Sequence, residues 1–202
     1  IELNPELLVD ANFKVREKEV QLAELESQMG EQTKLVDKLD KYEALLGKVL
    51  SFDNDHADLE EKMSSFRRQK QIIDDTLENS DFDLPQSAIE KLNAKRTSLN
   101  EKIAELRAER KGFEKVLFDE AKALGLNVDQ RNGRTTLLED LQDAIADLGS
   151  PSDKYLEFQA QSVALEEEVS KDQEALCETF KLDKDQDIDL QIQERSRAYV
   201  TF

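Results

Sequence analysis

The run LLVDANFKVREKEVQLAELESQM, residues 7–29, decides what kind of fold this chain can adopt. Leu8, Val15, Leu22 and Met29 recur every seven residues, and Ala11 and Leu25 sit three residues after members of that series. Residues at this spacing share one side of an α-helix. Two apolar positions per heptad make a narrow seam that one neighbouring helix can cover, not a broad globular face. Val36 and Leu50 extend the first series and Leu39 and Leu46 the second, so Leu50 is expected in the seam. Lys18, Gln32 and Glu43 interrupt it, and Gly30 and Gly47 weaken the helix locally. Just upstream, Asn4-Pro5 reads as an N-cap followed by a proline at the first helical position.

Composition agrees with narrow seams. Of 202 residues, 37% are charged, 38% apolar and 6% aromatic, with 6 Gly, 3 Pro and no Trp. Charge is above and apolar content below the usual globular share, which suits long helices better than one thick core. The apolar residues are periodic, which separates the chain from disordered compositions. No apolar run is long enough to span a membrane, and no secretory leader pattern is present. The opening Ile predicts a fragment or processed form. The single Cys, Cys177, has no internal disulfide partner, and the expected location is therefore the reducing cytoplasm.

Working outward, SFDNDH (51–56) predicts a break. The helical period resumes at Leu59, Met63, Phe66, Ile73 and Leu77, and NSDFDLP (79–85) predicts a turn. Ser87 with Glu90 suggests a capping box. The helix behind it has Ile89, Leu92, Leu99, Ile103, Leu106, Phe113, Leu117 and Leu124 on its seam. Gly125 is the expected C-terminal cap, NVDQRNGR the following loop, and Thr136 with Glu139 a second capping box. A short helix over 136–148 carries Leu137, Leu141, Ile145 and Leu148 and stops at Gly149. Ser150-Pro151 restarts a long helix through Tyr155, Phe158, Leu165, Val169, Leu176 and Phe180.

These signals predict a rising limb over 5–79, a turn at 80–86 and a returning limb over 87–181 with its loop at 125–135. Each limb holds about 70–80 helical residues and would reach on the order of 110 Å. Matched limbs make an antiparallel hairpin that brings the chain ends together. At those ends the period changes. In DIDLQIQE (187–194), Ile188, Leu190 and Ile192 alternate with polar residues. Two readings stand for 182–202. One is a linker with a β-hairpin of IDLQIQ and AYVTF, joined by residues 1–4 as an edge strand. The other is a last helix with Ile188, Ile192 and Tyr199 on one face.

No phosphate-cradling glycine motif occurs. His56, the only histidine, sits in DNDHADLEE without convergent metal-ligand spacing, and the stretch lacks the glycine and terminal glutamate of a calcium loop. Cys177 has no base near it in sequence and reads as a structural thiol. No catalytic residue, metal ligand or cofactor is expected. Charge is uneven. Lys91–Lys115 holds eight basic and four acidic residues, whereas 139–189 holds sixteen acidic and four basic. Lys91, Lys95, Arg96, Lys102, Arg107, Arg110 and Lys111 form the basic patch. Internal pairing with acidic helices is its favoured role over nucleic-acid contact, because a net charge of -18 repels a phosphate backbone and no aromatic residues are interleaved for stacking.

The order of parts is a long heptad limb, a polar tip and a returning limb. The returning limb contains ALGLNVDQRNGRTTLLEDLQDAIADL (123–148) and KYLEFQAQSVALEEEVSKDQEALCETF (154–180). This order resembles the coiled-coil arms of SMC and SbcC-type ATPases. The resemblance implies an arm whose ATPase heads lie outside this segment. The family's nucleotide-binding motifs, signature motif and CxxC zinc hook are absent.

The expected fold is therefore all-α: an antiparallel coiled coil or helical bundle, with short strands at the ends on the hairpin reading. The expected function is a non-catalytic structural or interaction segment: a spacer, lever or docking arm. Its partners would be other protein chains or the rest of the parent protein, with no membrane role and nucleic acid involved only indirectly. A self-assembling homo-oligomeric scaffold and an SMC-like arm using the 91–115 helix are the rival functions. The interaction residues expected are the seam positions Leu8, Val15, Leu22, Leu25, Met29, Val36, Leu39, Leu46, Leu99, Ile103, Leu106 and Phe113.

Overall fold

A computed structural model describes residues 5–78 and 84–200. The described chain is all-α. Its helices are α1 (Pro5–Asp55), α2 (Ala57–Glu78), α3 (Gln86–Ala123), α4 (Gly133–Leu148), α5 (Pro151–Phe180) and α6 (Ile188–Val200), with a 3-10 turn at Gln130–Asn132. The edge strand expected at 1–4 and most of the 80–86 turn lie outside the described residues. The chain divides into two compact units, one drawn from Ile1–Asp37 with Ser150–Phe202 and the other from Lys38–Gly149. Helix α1 contributes to both.

In the first unit, the start of α1 packs against α5 in antiparallel register. Lys18 Nζ lies 3.0 Å from Glu168 and 2.7 Å from Asp172, and Gln173 donates to Glu19 at 2.9 Å. Leu8 of α1 packs in one cluster with Leu176, Cys177 and Phe180 of α5, Leu182, and Ile192 of α6. Residues 188–200 take the helical alternative, and the β-hairpin does not form there. Asp187 accepts from the Leu190 amide at 3.2 Å, the geometry of an N-cap. The side chain of Gln191 bridges the Asp183 amide and carbonyl at 2.8 Å each. Ile188 and Ile192, four apart, turn toward the cluster while Leu190 is left exposed. Alternation suggested a strand because it placed all three on one face. A helix needs only two of them inside; Asp187, just before Ile188, caps it, and Gln191 ties it to Asp183.

Arg195 fixes this end. Helix α5 finishes in a left-handed Lys181 (φ 52°), with the Leu182 amide returning to the Cys177 carbonyl at 2.9 Å. The Arg195 guanidinium donates to the Phe180 carbonyl and, at 2.9 Å, to that of Lys181. A cation on the last carbonyls of a helix satisfies orphan acceptors and complements the helix dipole.

In the second unit, α2 and α3 form an antiparallel hairpin. Arg96 pairs with Asp74 at 3.6 Å, and Arg110 with Glu60 at 3.4 Å. Leu59, Met63 and Ile73 of α2 and Leu99 and Ile103 of α3 are buried. The break expected at 51–56 narrows to His56, whose amide still reaches the Phe52 carbonyl at 3.1 Å. The largest core lies where the end of α1 meets α3 and α4. It comprises Tyr42, Leu45, Val49 and Phe52 with Leu117, Phe118, Ala121, Val128, Leu137 and Leu141.

This core corrects the seam at two points. Leu50 is 61% exposed and Phe113 42% exposed, whereas Leu45 is 2% and Phe118 1% exposed. On α1 the buried stripe is displaced by one residue from the heptad, to Tyr42, Leu45, Val49 and Phe52. Heptad spacing presumes one partner helix. Here α1 faces α3, the Val128 loop and α4 together. Glu43, which an unslipped heptad would place inside, is exposed.

Helix ends supply further corrections. Helix α3 starts at Gln86 behind Pro85, which makes no side-chain cap, so Ser87 lies within the helix and its capping box does not form. The Thr136–Glu139 box fails in the same way. Helix α4 starts at Gly133, and the Thr136 hydroxyl donates back to the Asn132 carbonyl at 3.1 Å. The stop at Gly125 is as expected. Its φ is 88°, and it donates to the Lys122 carbonyl at 2.9 Å, while Leu126 donates to Ala121 at 3.0 Å. That pair of bonds is a Schellman motif, and its left-handed position suits a residue without Cβ.

Candidate functional site

The seam residues divide by burial. Leu8, Val15, Leu99 and Ile103 are buried; Leu22, Leu25, Met29, Val36, Leu39, Leu46 and Leu106 are half-buried. They belong to more than one packed surface, so they do not constitute one site. Sequence spacing missed Tyr42, Leu45, Val49, Phe52, Phe118 and Ala121, all buried. Tyr42 also donates its hydroxyl to the Leu124 carbonyl at 3.2 Å, tying α1 to the end of α3.

The basic patch divides too. Arg96 and Arg110 are ion-paired with α1 and α2, and Lys102 stands over the Phe66 ring at 5.7 Å from its centroid. Lys91, Lys95, Arg107 and Lys111 are exposed, and their side chains make no ion pair or hydrogen bond among the described residues. Two arginines outside the patch join it in space. Arg67 of α2 and Arg134 of α4 line one groove with Arg107, Arg110 and Lys111. Residues Arg107, Arg110 and Lys111 at i, i+3 and i+4 signal a shared helix face in the sequence. Nothing local announces that Arg134 lies beside them.

Asp53 organises the groove's edge. Its carboxylate accepts from Arg110 at 2.8 Å and from Arg134 at 2.7 Å. The Arg134 bond is the main cause that lowers the Asp53 pKa from its ordinary value, with Arg110 adding to it against some desolvation. Arg134 also reaches Glu114 at 3.2 Å and stacks over the Phe52 ring at 4.3 Å. One guanidinium thereby joins α1, α3 and α4. His56 stands between Phe52 and Phe113, with ring centroids 4.4 and 4.6 Å away. Its Nδ1 lies 2.8 Å from the Phe52 carbonyl; since a carbonyl only accepts, Nδ1 carries the hydrogen. This is the packing of a helix-junction side chain.

In the first unit, hydrogen bonds from Lys18 to Asp172, then Glu168, raise the Lys18 pKa. The interruption of the heptad by a charged residue is thus accommodated by carboxylates on α5. Gln32 is less well accommodated: its Oε1 is buried with no hydrogen-bond partner among the described residues. Cys177 is buried in the apolar cluster. Among the described residues, no three His, Cys, Asp or Glu side chains converge to hold a metal, and no helix is long and apolar enough to cross a membrane. Comparison of the chain with known protein families, curated proteins and solved structures gives no match.

Proposed function

We propose that this chain is a non-catalytic helical interaction segment of a larger protein, a coiled-coil arm that spaces or docks other parts. The observation that supports this reading is the pairing of segments far apart in sequence. Lys18 meets Asp172 in one unit, and Lys48 meets Glu120 at 2.8 Å in the other. Seam residues such as Leu8 and Ile103 are buried within the chain itself, which leaves less seam for pairing between copies and disfavours the self-assembling scaffold. An SMC- or SbcC-type ATPase is one kind of parent that carries such an arm. On the first turns of α1, Val9, Phe13 and Val20 are 49%, 67% and 67% exposed at helical spacing. An apolar face of this kind suits a partner helix or the remainder of the parent.

The test is sedimentation equilibrium from low micromolar to several hundred micromolar. A single 23.1 kDa species throughout is expected. Reversible association, abolished by Leu22→Asp at the seam, would overturn the arm in favour of the scaffold.

A further inference from the structure

We propose that the groove between α2 and α3 binds a compact oligophosphate, a small ligand with two or more linked phosphate groups. The proposal does not depend on the arm reading. The groove is half-open to solvent and offers about 500 Å³, a volume within the range of small-ligand sites. Met63, Ala104 and Ala108 form its apolar lining, and the short side chains of the alanines let a ligand approach α3 closely. Around them stand four arginines and a lysine; Glu114 lies among them, and Asp53 and Glu60 sit behind the arginines they pair with, which leaves cations in excess.

The arginines fall into two sets. Arg67, Arg110 and Arg134 are held in place by carboxylates: Arg67 by Glu60 at 2.9 Å, Arg110 by Asp53 and Glu60, and Arg134 by Asp53 and Glu114. Their forks are oriented before any ligand arrives. Arg107 and Lys111 are exposed, and their side chains have no partner among the described residues. Two free cations beside three fixed ones suit an anion with several oxygens, which guanidinium groups bind bidentately. The groove ends at Arg134 in the first turn of α4, which has no acidic residue and no side-chain cap. A helix start of that kind adds a positive field.

Size selects between anions. The chain carries a net charge of -18, which repels a long polyanion wherever it runs beyond the basic 91–115 helix. A ligand no larger than the Debye length, about 8–10 Å, responds mainly to the charges in and beside the groove, where cations outnumber carboxylates, and little to the rest of the chain. A compact oligophosphate therefore fits the charge distribution better than a nucleic-acid strand.

The experiment is isothermal titration of the whole chain with inorganic triphosphate at low and at high salt. Parallel titrations use ATP and a single-stranded oligonucleotide. One-to-one saturable binding that weakens with salt is expected. The Arg107→Gln/Lys111→Gln variant, altered at two exposed positions, should bind about tenfold or more weakly. The Lys91→Gln/Lys95→Gln variant, which removes equal charge outside the groove, should bind within about twofold of the parent, since only diffuse charge is lost. ATP matching triphosphate would show that the phosphate chain is what the groove recognises. Any of three results would overturn the proposal: no saturable triphosphate binding, equal weakening by both variants, or tighter binding of the oligonucleotide than of triphosphate.

Discussion

Replacing Leu45 and Leu50 separately by Ala removes the same atoms from neighbouring turns of α1, so any difference reports where the buried stripe runs. Leu45 is 2% exposed and lies in the core with Phe118, Leu137 and Leu141. Truncation removes three carbons, each with about 0.8 kcal/mol of transfer free energy, or about 2.4 kcal/mol together. The residual cavity raises the cost to about 3–4 kcal/mol, and the better helix propensity of Ala returns only a few tenths. Leu50 is 61% exposed, so its truncation should change stability by no more than about 0.5 kcal/mol. Urea denaturation followed by circular dichroism measures both. With an m-value of about 2 kcal/mol/M, Leu45→Ala should lower the midpoint by about 1.5–2 M, and Leu50→Ala should leave it nearly unmoved. If Leu50→Ala costs as much as Leu45→Ala, the heptad continues unslipped past Val36 and the packing of α1 against α3 and α4 is wrong.

Three further outcomes follow from side chains outside that core. Gln32→Leu removes a buried carbonyl oxygen that has no partner among the described residues and should stabilise the first unit by about 1–2 kcal/mol, read as a higher melting temperature; a lower one would mean that the amide is satisfied. Arg195→Ala uncaps α5 and should speed hydrogen exchange of α6 amides about tenfold while leaving α3 unchanged; uniform exchange would remove its anchoring role. Asp53→Asn should cost about 0.5–1 kcal/mol at neutral pH, a modest figure because the carboxylate is largely exposed. The folded-state pKa of Asp53 is lowered, so its contribution is present above the unfolded value of about 3.9 and disappears as pH falls through the folded one. The gap between variant and parent should therefore close on acidification; a gap that persists at low pH would show that charge is not its source.

Much of the helix plan is legible because its signals are local. Gly125 and Gly149 end helices at positive φ, and Pro151 starts one. The antiparallel partners of α2 and α3 follow from the turn between their apolar periods. What sequence spacing could not supply is the identity of the third neighbour. Tyr42 and Val49 become core because α4 comes to rest beside them, and nothing in residues 38–55 encodes where α4 will lie. The same reason hides Arg134 from the basic patch. The strand alternative at 188–193 arose from Leu190, whose alternation with Ile188 and Ile192 is incidental to a helix fixed by Asp187, Gln191 and Arg195. The two capping boxes failed because Gln86 and Gly133 start their helices earlier, leaving Ser87 and Thr136 inside the first turn.

The most direct test of intrachain pairing is a distance within the first unit. Asp10 of α1 and Thr179 of α5 are both exposed and line one groove. With Cys177 replaced by Ser, spin labels at these two positions, diluted with unlabelled chain, should give a pulsed EPR distance of about 15–30 Å, as expected for adjacent helices with flexible labels. That distance should be insensitive to dilution. A separation beyond the measurable range, or a short distance that vanishes on dilution, would mean that α1 pairs with another chain and that this segment is not a folded-back arm.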